Sequence, residues 1–478
     1  MALILSLPVD VCLPIFHYLS VLDILRIRQT CKAFEKISHL RSVWHGYLRT
    51  RIQERNIPVP GLSQEKFESL SAFELEQCVR RALLLRKNWT SSSPVISSRL
   101  EIQALPTSRI IALEFLPGEE RRWLISIAST VETTRKFTAQ CWDLRPTRPQ
   151  CIAIKEFPKL QGFAVNRHAD NLGHLAVRHA GIEVLKIDLA CTNPASAFVT
   201  TAFFPNKPHR VHVYQGSVVL TRDDHDRLYI WDIENFQGEC ELKNSEIQFE
   251  APLEAVIQDT FVIIIRQTTL EIYGLPSVLS PGSVVFPIAV HRWQWKLDTV
   301  IASTQASWEA TQSGKLSPIN ILVRYGSLLP WPLNVLHHYV LFPNMFYEAP
   351  RIVDPSNLPY HISPFLHRII PSPIRLFSTY AMSIGSHGTA IWTDSHTEDY
   401  FDRADQGQRL AGSIRLLPAA NPDNSEAMAP DTRVESTTDS MVFDVSEQDR
   451  WVRVTVDEEE GRIALGSTDG MITILNYA

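Results

Sequence analysis

The sequence predicts a multidomain α+β chain: an all-α segment at the N-terminus, then connecting helices, then a long all-β region. Three observations predict it. The first fifty residues carry apolar side chains at steps of three and four, the spacing of helices that bury one face. From about Val95 onward, short runs rich in Val, Ile, Tyr and Trp alternate with turn residues, as strands do. Within that region the strand pairs recur at a nearly constant interval, which marks a repeat architecture.

Composition narrows the function classes. A chain of 478 residues exceeds one typical domain, and 45% apolar with 21% charged residues is ordinary globular usage. The net charge of −6 is uneven: residues 1–98 hold 13 Lys/Arg against 8 Asp/Glu, and the remainder holds 33 against 44. Neither part has the clustered basic footprint of a nucleic-acid binder, so no nucleic-acid partner is expected. The seven cysteines (12, 31, 78, 141, 151, 191 and 240) include no CxxC pair, which argues against a disulfide framework or a structural zinc site. Met1 to Leu7 is apolar, but no basic residue precedes it and Pro8, Asp10 and Pro14 interrupt it, so it is not expected to act as a signal peptide. The longest later apolar run, Phe261 to Ile265, is too short to span a bilayer. A soluble protein of the cytoplasm and/or nucleus, away from membranes, is the expectation.

The first segment, residues 1–50, reads as short helices. Leu7-Pro8 precede a stripe of Val11, Ile15, Phe16 and Leu19, with Pro suited to a helix start, where its missing N–H costs nothing. Pro14 falls inside this helix and is expected to kink it. Asp23 opens the next helix as an N-cap or first-turn acid, flanked by Leu22 and followed by Ile24, Ile27 and Cys31. Leu7-Pro8-Val9-Asp10, Ile15-Phe16-His17-Tyr18-Leu19, Asp23-Ile24-Leu25-Arg26 and Cys31-Lys32-Ala33-Phe34 together resemble an F-box. That resemblance implies docking on a Skp-type adaptor, and through it on cullin and RING subunits. It implies adaptor contacts from Leu7, Pro8, Ile15, Leu19, Leu25 and Cys31, with the other apolar positions holding the helices together.

Residues 51–94 read as a helical linker. Ser71-Ala72-Phe73-Glu74 has the capping-box form, and Leu75, Cys78, Val79, Ala82 and Leu83 make one apolar stripe behind it. Asn88 to Ser98, with Ser91-Ser92-Ser93-Pro94, ends the helix as a connecting tether.

In residues 95–478 hairpin-like pairs stand out: Leu172–Arg178 with Ile182–Ile187, Ser217–Thr221 with Arg227–Ile233, Ser378–Ile384 with Thr389–Trp392, and Arg462–Gly466 with Met471–Tyr477. Aligning second strands places Trp142, Leu185, Trp231, Tyr273, Tyr325, Trp392 and Leu475 as equivalents, the first three steps being 43, 46 and 42 residues. Four-stranded propeller blades give steps of this size. With Trp142-Asp143 and Trp231-Asp232, the region resembles a degenerate WD-repeat β-propeller of about seven blades. Val95–Gln103 is expected to close the ring on the last hairpin. Residues 419–440, rich in Pro, Asn, Ser, Thr and acids, are expected to form a disordered loop.

Catalytic patterns are missing: there is no GxSxG, GxGxxG, Walker A or HExxH. His337, His338, His361 and His367 match no standard metal spacing. Residues 421–460 contain 12 Asp/Glu against 3 Arg, and Asp457-Glu458-Glu459-Glu460 reads as a solvated hairpin turn. No catalytic residue, metal or cofactor is therefore expected. The F-box resemblance implies that the chain acts as the substrate receptor of an SCF-type ubiquitin ligase, with the propeller binding an unidentified protein substrate. A scaffold without ubiquitination and a propeller enzyme are the alternatives.

Overall fold

A computed structural model of the chain describes all residues except 1–7, 63–66, 119–121, 131–134, 146–147, 169–172, 206–208, 235–237, 245–249, 259, 277–278, 280–281, 307–313, 327–333, 349–352, 375–379, 396–406, 416–434 and 437–439. The N-terminal part is helical: α1 (Val9–Tyr18), α2 (Val21–Arg28), α3 (Lys32–Ser38), α4 (Arg41–Tyr47) and α5 (Ala72–Trp89). Pro8 precedes α1 in an extended conformation, and α1 runs unbroken across Pro14. Ser20, not Asp23, caps α2: its hydroxyl accepts the Asp23 N–H at 3.2 Å, and the Asp23 carboxylate is the first-turn acid that accepts back from that hydroxyl. Their core gathers Phe16, Ile24, Val43, Trp44, Leu48, Leu75, Val79 and Ala82. No helix among the described residues is long and apolar enough to cross a membrane.

Seven sheets follow, and together they make a seven-blade β-propeller. Blade 1 runs through Ser108–Phe115, Trp123–Thr130, Phe137–Asp143 and Gln150–Phe157. Blades 2 to 6 occupy 162–205, 210–242, 252–292, 297–371 and 382–446, and blade 7 begins at Trp451. Its fourth strand comes from the far end of the chain. Ser98–Gln103 pairs antiparallel with Met471–Asn476, Leu100 opposite Ile474 and Ile102 opposite Ile472. This is the expected closure, and it covers an edge that would otherwise be free to pair with other chains. Trp142 and Trp231 act structurally, their indole N–H groups donating to Ser126 and Thr221 hydroxyls on the preceding strand at 2.9 and 2.8 Å.

Two features of the blade reading change. Tyr325 and Trp392 lie on the second strands of blades 5 and 6, whereas Trp142, Leu185, Trp231, Tyr273 and Leu475 lie on third strands. The third strands there are Val335–Leu341 and Gln408–Ile414, separated from the second by connections long enough to hide the pairing. Blades 3 and 5 each also carry a fifth strand, Ser283–Val285 and Glu435–Ser436, paired in parallel. The segment 419–440, apart from Glu435, Ser436 and Ser440, lies outside the described residues.

The helical part and the propeller meet through α5. Its capping box forms as expected, with Ser71 N–H donating to Glu74 and Glu74 N–H to Ser71 Oγ. Leu75, Val79 and Ala82 face the helical core, and within the next two turns Leu85 and Trp89 enter the core of blades 6 and 7. Trp89 lies edge-on to Phe443 and Tyr477, with centroids 5.2 and 5.3 Å away, and donates its indole N–H to Thr389 Oγ1 at 2.9 Å. Asn88 then binds the Tyr477 and Val95 carbonyls, both at 2.8 Å. The helix ends at Trp89, but the residues around that end are built into the propeller instead of serving as a free tether.

The acidic run also departs from expectation. It is a hairpin turn, yet Asp457 and Glu458 are both only 4% exposed. The Glu458 carboxylate accepts the His387 and Thr389 N–H groups, and Glu460 accepts the Gly61 N–H at 2.7 Å. Gly461 has φ +65°, and a Cβ there would collide with Leu85, so the turn requires glycine on both counts. Charges that read as solvated instead form the socket for the helical part. Because Trp89 belongs to the propeller core, Trp89→Ala is expected to cost about 3–5 kcal/mol. Urea unfolding followed by circular dichroism checks this; a free tether would give a change within about 0.5 kcal/mol.

Candidate functional site

The helical part, which carries the F-box-like spacing, exposes a run of apolar side chains. On α1, Cys12 and Phe16 turn inward, while Val11, Ile15 and Tyr18 fall at steps of four and three on another face and are exposed, Tyr18 to 82%, with Pro8 exposed just before the helix. Leu22 on α2 is exposed to 65%. A ten-residue helix apolar on two faces is unusual for a surface element: one face serves its own core, and the other is left for something else.

The sequence-derived residues distribute unevenly over this surface. Pro8, just before α1, and Ile15, on it, are exposed. Leu19 and Leu25 are half-buried, each packed partly on the helical core with part of its surface still open. Cys31 is half-buried at the start of α3, where its carbonyl accepts the Glu35 N–H at 3.0 Å, and its thiol is free. Leu7 lies outside the described residues. Val11, Tyr18 and Leu22 were missed as surface residues. Their signal was present in apolar residues on more than one side of α1 and at the start of α2, but periodicity alone does not say which face is covered. Arg28 ties the bundle to α5 through an ion pair with Glu76 at 2.8 Å, which fixes α2 and with it Leu22 and Leu25.

The second candidate is the propeller axis. The first strands of the blades surround a cavity of about 710 Å³. Arg167 reaches Glu254 at 3.2 Å, and this carboxylate holds the guanidinium above its ordinary pKa. Glu114 also faces the cavity, and enclosure raises its carboxyl above the usual range while Arg167 offsets part of the effect. Burial pushes His212 down to about 4. These charges are matched among themselves, and among the described residues no three His, Cys, Asp or Glu side chains gather as metal ligands. His338 is buried and pairs its Nε2 with Asn320 Oδ1 at 3.1 Å.

A family model described as F-box-like matches residues 4–50. No curated protein matches the chain. The solved β-propeller domain of Cps50 (Swd1) from Myceliophteria thermophila is similar at 11% identity and a TM-score of 0.43, over 77% of this chain and 99% of that one. The chain thus joins an F-box-like domain at its N-terminus to a seven-blade propeller.

The split between the two faces of α1 has a direct test. Replacing exposed Tyr18 and Leu22 by Ser is expected to shift stability by no more than about 0.5 kcal/mol each, while Phe16→Ala costs about 3–5 kcal/mol. Thermal melts of the three variants check the assignment.

Proposed function

We propose that this chain is the substrate-recognition subunit of an SCF-type cullin–RING ubiquitin ligase, its F-box-like domain docking on a Skp-type adaptor and its propeller holding a protein substrate. The observation that carries this reading is the outward apolar face of α1 and α2 on a domain that matches the F-box-like family. Such a face costs solubility unless a partner covers it.

The adaptor contacts we assign are Leu7, Pro8, Ile15, Leu19, Leu25 and Cys31, joined by Val11, Tyr18 and Leu22. The functional division we assign is residues 1–50 for adaptor docking, 51–94 for the connection and 95–478 for the propeller. The work is done by proximity: holding a substrate near a charged conjugating enzyme raises its effective concentration and needs no catalytic residue in this subunit. A location in the cytoplasm and/or nucleus, where cullin complexes operate, belongs to the same reading.

The test is co-purification with adaptor and cullin. Leu7→Ala with Pro8→Ala, with Ile15→Asp added, is expected to weaken adaptor binding by at least about thirtyfold. A lost hot-spot leucine costs about 2 kcal/mol, and an aspartate buried against apolar adaptor surface costs more. Wild-type levels of adaptor and cullin in the triple variant would overturn the reading. Intact adaptor binding with no cullin-dependent turnover of any propeller-bound protein would point to the scaffold alternative.

A further inference from the structure

The seam between the helical domain and the propeller is held by a histidine whose two ring nitrogens both face acceptors. His387 lies in the turn between the first two strands of blade 6. Its Nδ1 is 3.1 Å from the carbonyl oxygen of Asn56, in the helical domain; its buried Nε2 has no hydrogen-bond partner among the described residues but has Glu459 Oε1, on the acidic hairpin of blade 7, at an ion-pair distance of 3.5 Å. A carbonyl oxygen and a carboxylate can only accept. A neutral imidazole carries one proton and can satisfy one of them, and only the imidazolium satisfies both.

We propose that His387 is a proton-operated latch: when charged it ties Asn56 to the hairpin of blade 7, and when neutral it releases one of the two ties and loosens the helical domain on the propeller.

The surroundings favour this use. Glu458 is buried beside the same turn, where it accepts the His387 and Thr389 N–H groups. Gly385 leaves the space that this carboxylate fills, since a Cβ there would collide with it. Glu460 holds Gly61 from the same hairpin. From the helical side Arg55 and Arg86 line a small cavity shared with His387 and Glu458. Arg86 is lowered by burial and by Arg55, yet an arginine stays charged throughout the neutral range. The guanidinium of Arg415, whose backbone adjoins Gly388, is turned to Gln305 instead.

Burial alone lowers a histidine, but Glu459 and Glu458 outweigh it and leave His387 above its ordinary value. The Glu458 carboxyl is itself raised by burial and relies on His387 and the two amides to stay charged. A group raised in the folded state stabilises most below its unfolded value, and that contribution is lost as pH climbs through the raised pKa. The latch therefore holds in mildly acidic solution and opens across the neutral to mildly alkaline range. Loosening would vary the distance between adaptor and substrate, a consequence that rests on the ligase reading; the latch itself does not.

Hydrogen exchange by mass spectrometry on the full chain, normalised for intrinsic rates, tests it between about pH 6 and 8.5, the range in which histidine titrates when raised. Protection of the segments holding Asn56–Gly61 and Gly385–Thr389 is expected to fall several-fold with rising pH in the wild type. The fall should vanish in His387→Gln, which cannot titrate, and shrink in Glu459→Gln. Strand Arg462–Ser467 in blade 7 should stay constant in all three proteins, reporting that the propeller is folded. Seam protection that ignores pH in the wild type, or that falls equally in His387→Gln, would overturn the latch. No adaptor enters the measurement, so its failure is distinct from failure of the ligase reading.

Discussion

One helix serves two hydrophobic cores, and the arrangement of the molecule depends on it. The eighteen residues of α5 begin with a capping box, bury Leu75, Val79 and Ala82 among the N-terminal helices, and bury Leu85 and Trp89 in blades 6 and 7. A helix is stiff over this length, because every interior peptide group is bonded to the next turn. A tilt at one end therefore moves the other. Domains joined by a flexible tether move independently by default, and burying one continuous helix at both ends removes that freedom. The helical domain and the propeller are thereby joined by a stiff element buried at both ends.

The acidic hairpin of blade 7 completes the coupling at a point where charge would not be expected to help. Burying carboxylates is costly unless donors surround them. Here backbone N–H groups from blade 6 and from Gly61 supply the donors, with the His387 ring beside them. The apolar contact of Leu85 and Trp89 supplies adhesion, whereas the polar contacts around Glu458 to Gly461 select one orientation, since hydrogen bonds tolerate little displacement. The two kinds of contact lie side by side on the same seam: the cavity lined by Leu85 and Trp89 is also lined by Asn56, His387 and Glu458.

The outward face of α1 and α2 contrasts with this. Val11, Ile15, Tyr18 and Leu22 are only partly covered by the fold they belong to, and their exposure leaves apolar area in contact with water. The propeller axis does not present the same imbalance, because Arg167 pairs with Glu254 and its charge also offsets the enclosed Glu114. Exposed apolar side chains also occur on the propeller, Met345 and Phe346 among them, but on α1 they share one helix face.

Local signals in the sequence by themselves determined the helical start, the capping box at Ser71 and Glu74, the strand repeats, and the strand near residue 100 that closes the ring. Each depends on residues a few positions apart, whose periodicity or hydrogen bonding is set by backbone geometry. The F-box spacing from Leu7 to Phe34 was legible for the same reason. Only the tertiary structure decided which strands pair in blades 5 and 6, where long connections separate partners and a nearer Gly388 turn imitates the missing hairpin. It alone decided which face of α1 is covered, because apolar residues on both sides satisfy the periodicity equally. And it alone brought Glu458 to His387 and Gly61 to Glu460, residues 71 and 399 positions apart in the chain. A run of four acids reads as solvated until its donors are known, and those donors are backbone N–H groups, which every residue but proline carries and no sequence pattern marks.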